Sequence, residues 1–235
     1  MSLSFLDGAQ KFADLHPLVN RLYEITEKQP CAYKYIARVF SSVRSNPPKE
    51  YNQVTALIHM TLRHPLGELS ANEQADLISV LETVYACSQS EFQIIRSDFL
   101  ELVLFKWSEV YIPNSATAQV HMEPTIRDEN ANISKYEKHC DFIWHWQDDD
   151  PLCFCECKAD IYNVINVNKE MSRQGKKVDK IFYMKECYDY LHDHYAAPRM
   201  ILAAYNEEYE DAKHALESWG MAFFEFMGPR ELLAS

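Results

Sequence analysis

Glycine is scarce in this chain, with five in 235 residues. No glycine-rich turn able to cradle a triphosphate is present, so nucleoside-triphosphate chemistry is not expected. A Gly-x-Ser-x-Gly nucleophile elbow is missing as well. Long apolar runs are also absent. Even FLELVLFKW, Phe99 to Trp107, is interrupted by Glu101 and Lys106 and cannot cross a bilayer. The opening MSLSFLDGAQKFADLH lacks a basic flank followed by an apolar stretch, so the expectation is a cytoplasmic protein without a secretion signal. Positive charge is in deficit: 23 Lys and Arg stand against 35 Asp and Glu, a formal net charge of -12. Proteins that clamp nucleic acid through many phosphates are usually basic, so any such binding here must rest on a local patch.

The cysteines are odd in number, seven, and Cys153, Cys155 and Cys157 alternate along one short segment. Residues two apart on a strand do not bridge readily, which argues against a secreted disulfide framework. A thiolate metal site is the alternative, but no Cys-x-x-Cys pair or matching His spacing accompanies the run. Small buried hydrophobes on one strand face is the preferred reading.

What is present is an ordinary globular composition, 47% hydrophobic and 25% charged. The first half reads as helical, with amphipathic stretches over Phe12–Thr26, Ala32–Ser42 and Tyr51–Arg63 separated by the breakers KQP, SNPPKE and HPLG. SANE, Ser70 to Glu73, has the form of a capping box before the apolar spacing Leu77, Ile78, Leu81, Val84. A further helix is expected from about Ser90 to Val110. TAQVHMEPTI then reads as a strand, RDENANISKYEK as a polar loop, CDFIWHWQ and LCFCECKADI as strands about a turn at DDDP. A basic helical stretch leads into DKIFYMKECYDYLHDHY; MILAAY is a buried strand, EEYEDAKHALESW a helix stopped at Gly220, and MAFFEFM a last strand. The expected class is α/β, with residues 1–89 an all-helical N-terminal region and 90–235 a separate mixed domain.

The hairpin carries the chemistry. A turn centred on Asp148–Pro151 sets Asp141 opposite Lys158 and Ile143 opposite Glu156. Directly opposed residues share a face, and side chains alternate along a strand. One face then holds Asp141, Ile143 and His145 with Phe154, Glu156 and Lys158. The other holds Cys140, Phe142, Trp144 and Trp146 with the three alternating cysteines, and is core. Two carboxylates this close raise one another's pKa unless a cation or metal keeps both ionised. A hard divalent ion accepts a few protein oxygens and leaves room for water and phosphate. A lysine beside it can orient a water or neutralise phosphate charge.

Asp141, then after fourteen intervening residues Glu156-Cys157-Lys158, resembles the signature of the PD-(D/E)XK, or restriction-endonuclease-like, nuclease superfamily. The element order from about Ser90 to Met227 is similar to that core: helix, three-strand meander, helix, strand, helix, strand. The likeness covers a little over half the chain. It implies Asp141 and Glu156 as ligands of Mg2+ or Mn2+, Lys158 as the catalytic lysine, and a glutamate from the helix before the first strand. Glu101 and Glu109 compete for that last role, with Glu101 preferred. The chain departs from the pattern in having Cys140 where a proline often precedes the signature aspartate.

Lys169, Arg173, Lys176, Lys177, Lys180 and Lys185 cluster downstream against Glu170 and Asp179, a local basic patch suited to a phosphate backbone. Lys169, Arg173, Lys176 and Lys177 are the candidate substrate contacts, and Gln174 is a further candidate near the site. His192-x-His194 on a helix points its rings apart, Asp148–Asp150 is turn chemistry, and Asp160 is either a peripheral ligand or the strand's end. The expected function is metal-dependent hydrolysis of phosphodiester bonds, in DNA rather than RNA. Residues 1–89 would serve substrate selection, homodimer formation or regulation. The rival expectation is a non-catalytic binding or scaffold protein on the same fold.

Overall fold

The structure is a computed structural model that describes residues 3–8, 11–44, 51–63, 69–146 and 151–233. The expected turn at Asp148–Asp150 therefore lies outside the described residues. Four helices open the chain after a short strand: β1 (Leu3–Leu6), α1 (Pro17–Lys28), α2 (Ala32–Ser42), α3 (Tyr51–Arg63) and α4 (Ala71–Ala86). α1 begins at Pro17 rather than near Phe12. Proline sits well in a first turn but pushes the residue before it out of helical geometry, and His16 becomes the cap, its Nδ1 accepting from Leu18 N. The capping box at Ser70–Glu73 is formed, and a second, Ser88–Glu91, which the sequence reading passed over, starts the long α5 (Gln89–Tyr111). The N-terminal region is not all helical: β1 pairs antiparallel with a strand beyond residue 120.

The expected strand at TAQVHMEPTI is two strands, β2 (Gln119–Met122) and β3 (Thr125–Asp128), in different sheets. Glu123 at φ 44° and the following Pro124 break the run. β3 turns back on β4 (Ala131–Asn132) through Glu129 and Asn130, φ 48° and 71°, the pair of positive values that a tight two-residue hairpin needs. β1, β3 and β4 make one small sheet.

The main sheet adds β5 (Phe142–His145), β6 (Cys153–Lys158), β7 (Arg199–Ala204) and β8 (Phe224–Met227) to β2, in the order β2-β5-β6-β7-β8. The first three are antiparallel, and the last two run parallel to β6. Each parallel step requires a crossover, supplied by α6 (Asp179–His194) and α7 (Glu210–Ser218); α8 (Pro229–Leu233), not foreseen, closes the described chain. The basic stretch before α6 is not an α-helix. It runs through short 3₁₀ turns at Ile161–Asn163, Met171–Arg173 and Lys176–Val178, interrupted at Gln174 and Gly175.

Two apolar clusters sandwich this sheet. Phe142, Trp144, Cys153, Cys155, Cys157, Ile201 and Ala203 pack against the helices α1, α2, α4 and α5. Ile143, Phe154, Met200, Leu202 and Ala204 pack against α6 and α7. The aromatic centre of the first layer brings Tyr33 and Phe40 of α2 onto Phe99 of α5 and Tyr205, just past β7. The alternating cysteines lie on the core face, as expected. Cys140 does not: it joins the α6 cluster, because regular alternation starts only at Phe142. Among the described residues, no helix is long and apolar enough to cross a membrane.

Candidate active site

β5 and β6 pair Phe142 with Cys155 and Trp144 with Cys153, a register two residues from the one a symmetric turn implies. An even shift preserves which residues share a face but changes who stands opposite whom. Asp141 is therefore next to Glu156 and not Lys158. At Asp141 the main chain is leaving the ladder: its N–H donates to Cys155 O, and its Oδ2 accepts from Cys157 N at 2.7 Å. The carboxylate thus sits at the fork between the strands, where groups from either side of the sheet can reach it.

Three carboxylates and three ammonium groups gather there. Glu156 is completely buried, and Asp141 and Glu101 are each 3% exposed. Lys180 Nζ lies 2.9 Å from both Asp141 Oδ1 and Glu156 Oε1, bridging the two acids. Lys158 Nζ pairs with Glu156 and donates to Cys157 O at 3.0 Å. Glu101 reaches in from α5, held by Ser97 Oγ and by Lys11, which also pairs with Glu123. Of the two helix carboxylates weighed, Glu109 stands at the exposed end of α5 paired with Lys106 and takes no part.

The charges explain the protonation order. Burial pushes Asp141 up, but Lys180, Lys158 and Lys11 outweigh it and hold Asp141 below the usual carboxylate range. For Glu156, burial and the neighbouring Asp141 win over the two lysines, and its pKa is raised. Burial and Asp141 lift Glu101 to about 7 against the pull of Lys11. Burial opposes the charge on Lys180, yet Glu156 and Asp141 overcome it and strengthen its hold on the proton. Burial likewise raises the Cys155 and Cys157 thiols, with Asp141 adding to the effect at Cys157, which disfavours thiolate there.

The residues suit a hard divalent cation in one respect and limit it in another. Asp141 and Glu156 converge on a single point, and Glu156 Oε2 is buried without a hydrogen-bond partner. Magnesium is commonly bound by one or two carboxylates that leave positions for water and phosphate. Among the described residues, however, no group of three or more His, Cys, Asp or Glu side chains is poised to hold an ion. The donor set thus fits a two-carboxylate site, with Glu101 outside the immediate ligand group.

The remaining candidates sort by position. Lys169, Arg173, Lys176 and Lys177 are exposed on the segment joining Lys158 to Lys180, the two lysines that pair with the acids. Gln174 is not at the acids: it staples that segment by bonding Asn166 and Lys169 main chain. Asp160 accepts from Tyr162 N and Asn206 Nδ2 and pairs with Arg44 at 2.7 Å, so it ends β6 as a structural cap. His145 lies against Phe5 and His121, away from Asp141. His192 and His194 stack on Tyr188 and Tyr190 respectively. Lys11 was missed altogether and Lys180 was read only as part of the patch. Both are remote in sequence from the hairpin, and nothing in local spacing points them inward. No family model matches the chain, and no curated protein matches it to a significant degree.

Proposed function

We propose that the protein is a metal-dependent nuclease that hydrolyses phosphodiester bonds, acting on DNA rather than RNA. The observation that carries this reading is the convergence of the Asp141 and Glu156 carboxylates on one cation position with the Lys158 ammonium beside them. The order of elements, α5, the β2-β5-β6 meander, α6, β7, α7 and β8, supports a restriction-endonuclease-like core around that site. Mg2+ or Mn2+ would be held by Asp141 and Glu156, and when bound it would polarise the phosphate and acidify a water. Lys158 orients the attacking water and offsets charge growing on the phosphate. Glu101, at about 7, stands by as a proton acceptor or a carboxylate for outer-sphere water. The exposed Lys169, Arg173, Lys176 and Lys177 would track the phosphate backbone, giving an acidic protein the local basic surface it needs.

The test is cleavage of duplex DNA, single-stranded DNA and RNA by the full chain with Mg2+ or Mn2+. Metal-dependent cutting that Lys158→Ala removes, with DNA cut faster, is the expected result. Equal activity in that variant sinks the mechanism. A second reading, a non-catalytic binding or scaffold protein on the same fold, is favoured by one observation: Glu156 is already paired with two lysines. Calorimetry separates the two, since a scaffold needs no divalent-ion binding and is indifferent to Asp141→Asn.

A further inference from the structure

Lys180 is the group at the site whose position is hardest to account for as packing alone. It is the second residue of α6, and the N-terminal turn of a helix carries partial positive charge that repels a cation. Its ammonium is held there by Asp141 and Glu156, at equal distances of 2.9 Å. Lys158 differs: its strand position and its bond to Cys157 O keep it in place independently of Asp141. Lys180 is also a quarter exposed, and the Lys176–Val178 turn leads directly into its helix, so its flexible stem has a way out beside Lys176 and Lys177.

We infer that Lys180 is a built-in counter-cation of the Asp141–Glu156 pair, which a divalent metal ion must displace before it can bind. The inference rests on the nuclease reading and adds a regulatory element to it. Without metal, the ammonium keeps two buried like charges together. When a divalent ion neutralises the carboxylates, the helix terminus and the ion both repel Lys180. The side chain then swings outward towards Lys176 and Lys177, where a substrate phosphate receives it. Metal loading and phosphate binding are thereby coupled through one side chain, and metal alone binds weakly.

Mn2+ titration of the full chain by calorimetry tests this, with no substrate and no activity readout. Lys180→Met and Lys180→Gln, two replacements in case one fails to fold, should bind Mn2+ about tenfold more tightly than the parent, a gain of about 1.4 kcal/mol. Lys180→Arg, which keeps the charge, should stay near the parent affinity. Thermal melting should show a larger Mn2+-induced rise for the Met and Gln variants than for the parent. Mn2+ binding that Asp141→Asn abolishes, but that Lys180→Met and Lys180→Gln leave at or below the parent affinity, overturns the competition while the nuclease reading stands. No Mn2+ binding by the parent or by either variant overturns the metal site and the competition together.

Discussion

Two buried acids lie four residues apart at the end of β6, and they are treated in opposite ways. Asp160 Oδ1 accepts from a main-chain N–H and from the Asn206 amide, and Oδ2 pairs with the half-exposed Arg44 just beyond α2. Glu156, deeper still, has Asp141 beside it and its charge balanced by two lysines on flexible stems. A carboxylate that serves structure takes main-chain and amide donors held by the fold. One that is balanced by movable cations, next to a like charge, keeps the capacity to exchange partners.

The largest effect that tests this contrast is on rate. Lys158→Ala should lower metal-dependent cleavage by about 10³-fold, on the scale of removing one preorganised charge from a transition state, while the melting temperature moves little. A gel assay of single-turnover cleavage together with a melt of the same sample checks both halves. Loss of fold without selective loss of rate would erase the distinction between the two acids.

Stability should follow the other acid. Asp160→Ala strips partners from Asn206, Tyr162 N and Arg44 and should cost about 2 kcal/mol in urea unfolding, given that Arg44 is half exposed. Glu156→Gln relieves repulsion with Asp141 but removes a charge partner of Lys158 and Lys180, opposing effects that should leave its stability cost below that of Asp160→Ala while abolishing cleavage. The reverse ranking would mean that Glu156 is the structural acid.

Glu101 sharpens the comparison through pH. Its pKa is raised in the folded protein from 4.5 to about 7, so between these values the folded state holds a proton that the unfolded chain has lost. Stability from this group therefore falls as pH rises through that window and is lowest above it. Glu101→Gln mimics the protonated form. Its advantage over the parent should be near zero at pH 4.5 and reach about 1 to 3 kcal/mol above pH 7. A pH-independent difference in unfolding free energy would show that Glu101 is not desolvated beside Asp141.

How much of this was written locally in the chain follows from what each feature depends on. The capping box at Ser70–Glu73 and the extents of α2 and α3 are set by neighbouring residues, and they were legible. The convergence of Asp141 and Glu156 was only partly legible: parity along β6 sets Glu156 and Lys158, but Asp141 lies just outside the regular ladder of β5 and reaches Glu156 through the shared Lys180. The start of α1 was misjudged where Pro17 overrides an amphipathic pattern, and the segment before α6 where Gly175 defeats helix-favouring lysines. β1, Lys11 and Lys180 were not legible as parts of this architecture. Each acquires its role from a contact made across more than thirty residues, with β3, Glu101 and Asp141 respectively.

The smallest expected effect concerns the exposed basic segment between Lys158 and Lys180. If Lys169, Arg173, Lys176 and Lys177 each neutralise one phosphate, binding releases about one counterion per contact. Replacing one, for example Lys176→Ala, should then lower the steepness of log affinity against log salt by about 0.9 and weaken binding equally for all sequences. The measurement is fluorescence anisotropy of labelled DNA on a Lys158→Ala background, so that cleavage does not interfere. These side chains lie on the solvent side and support no packing, so melting temperatures should stay at the parent value. An unchanged salt slope after all four are replaced would move the nucleic-acid surface elsewhere. The acids at the fork of β5 and β6 would then lack the basic segment that lets a protein of net charge -12 approach a polyanion.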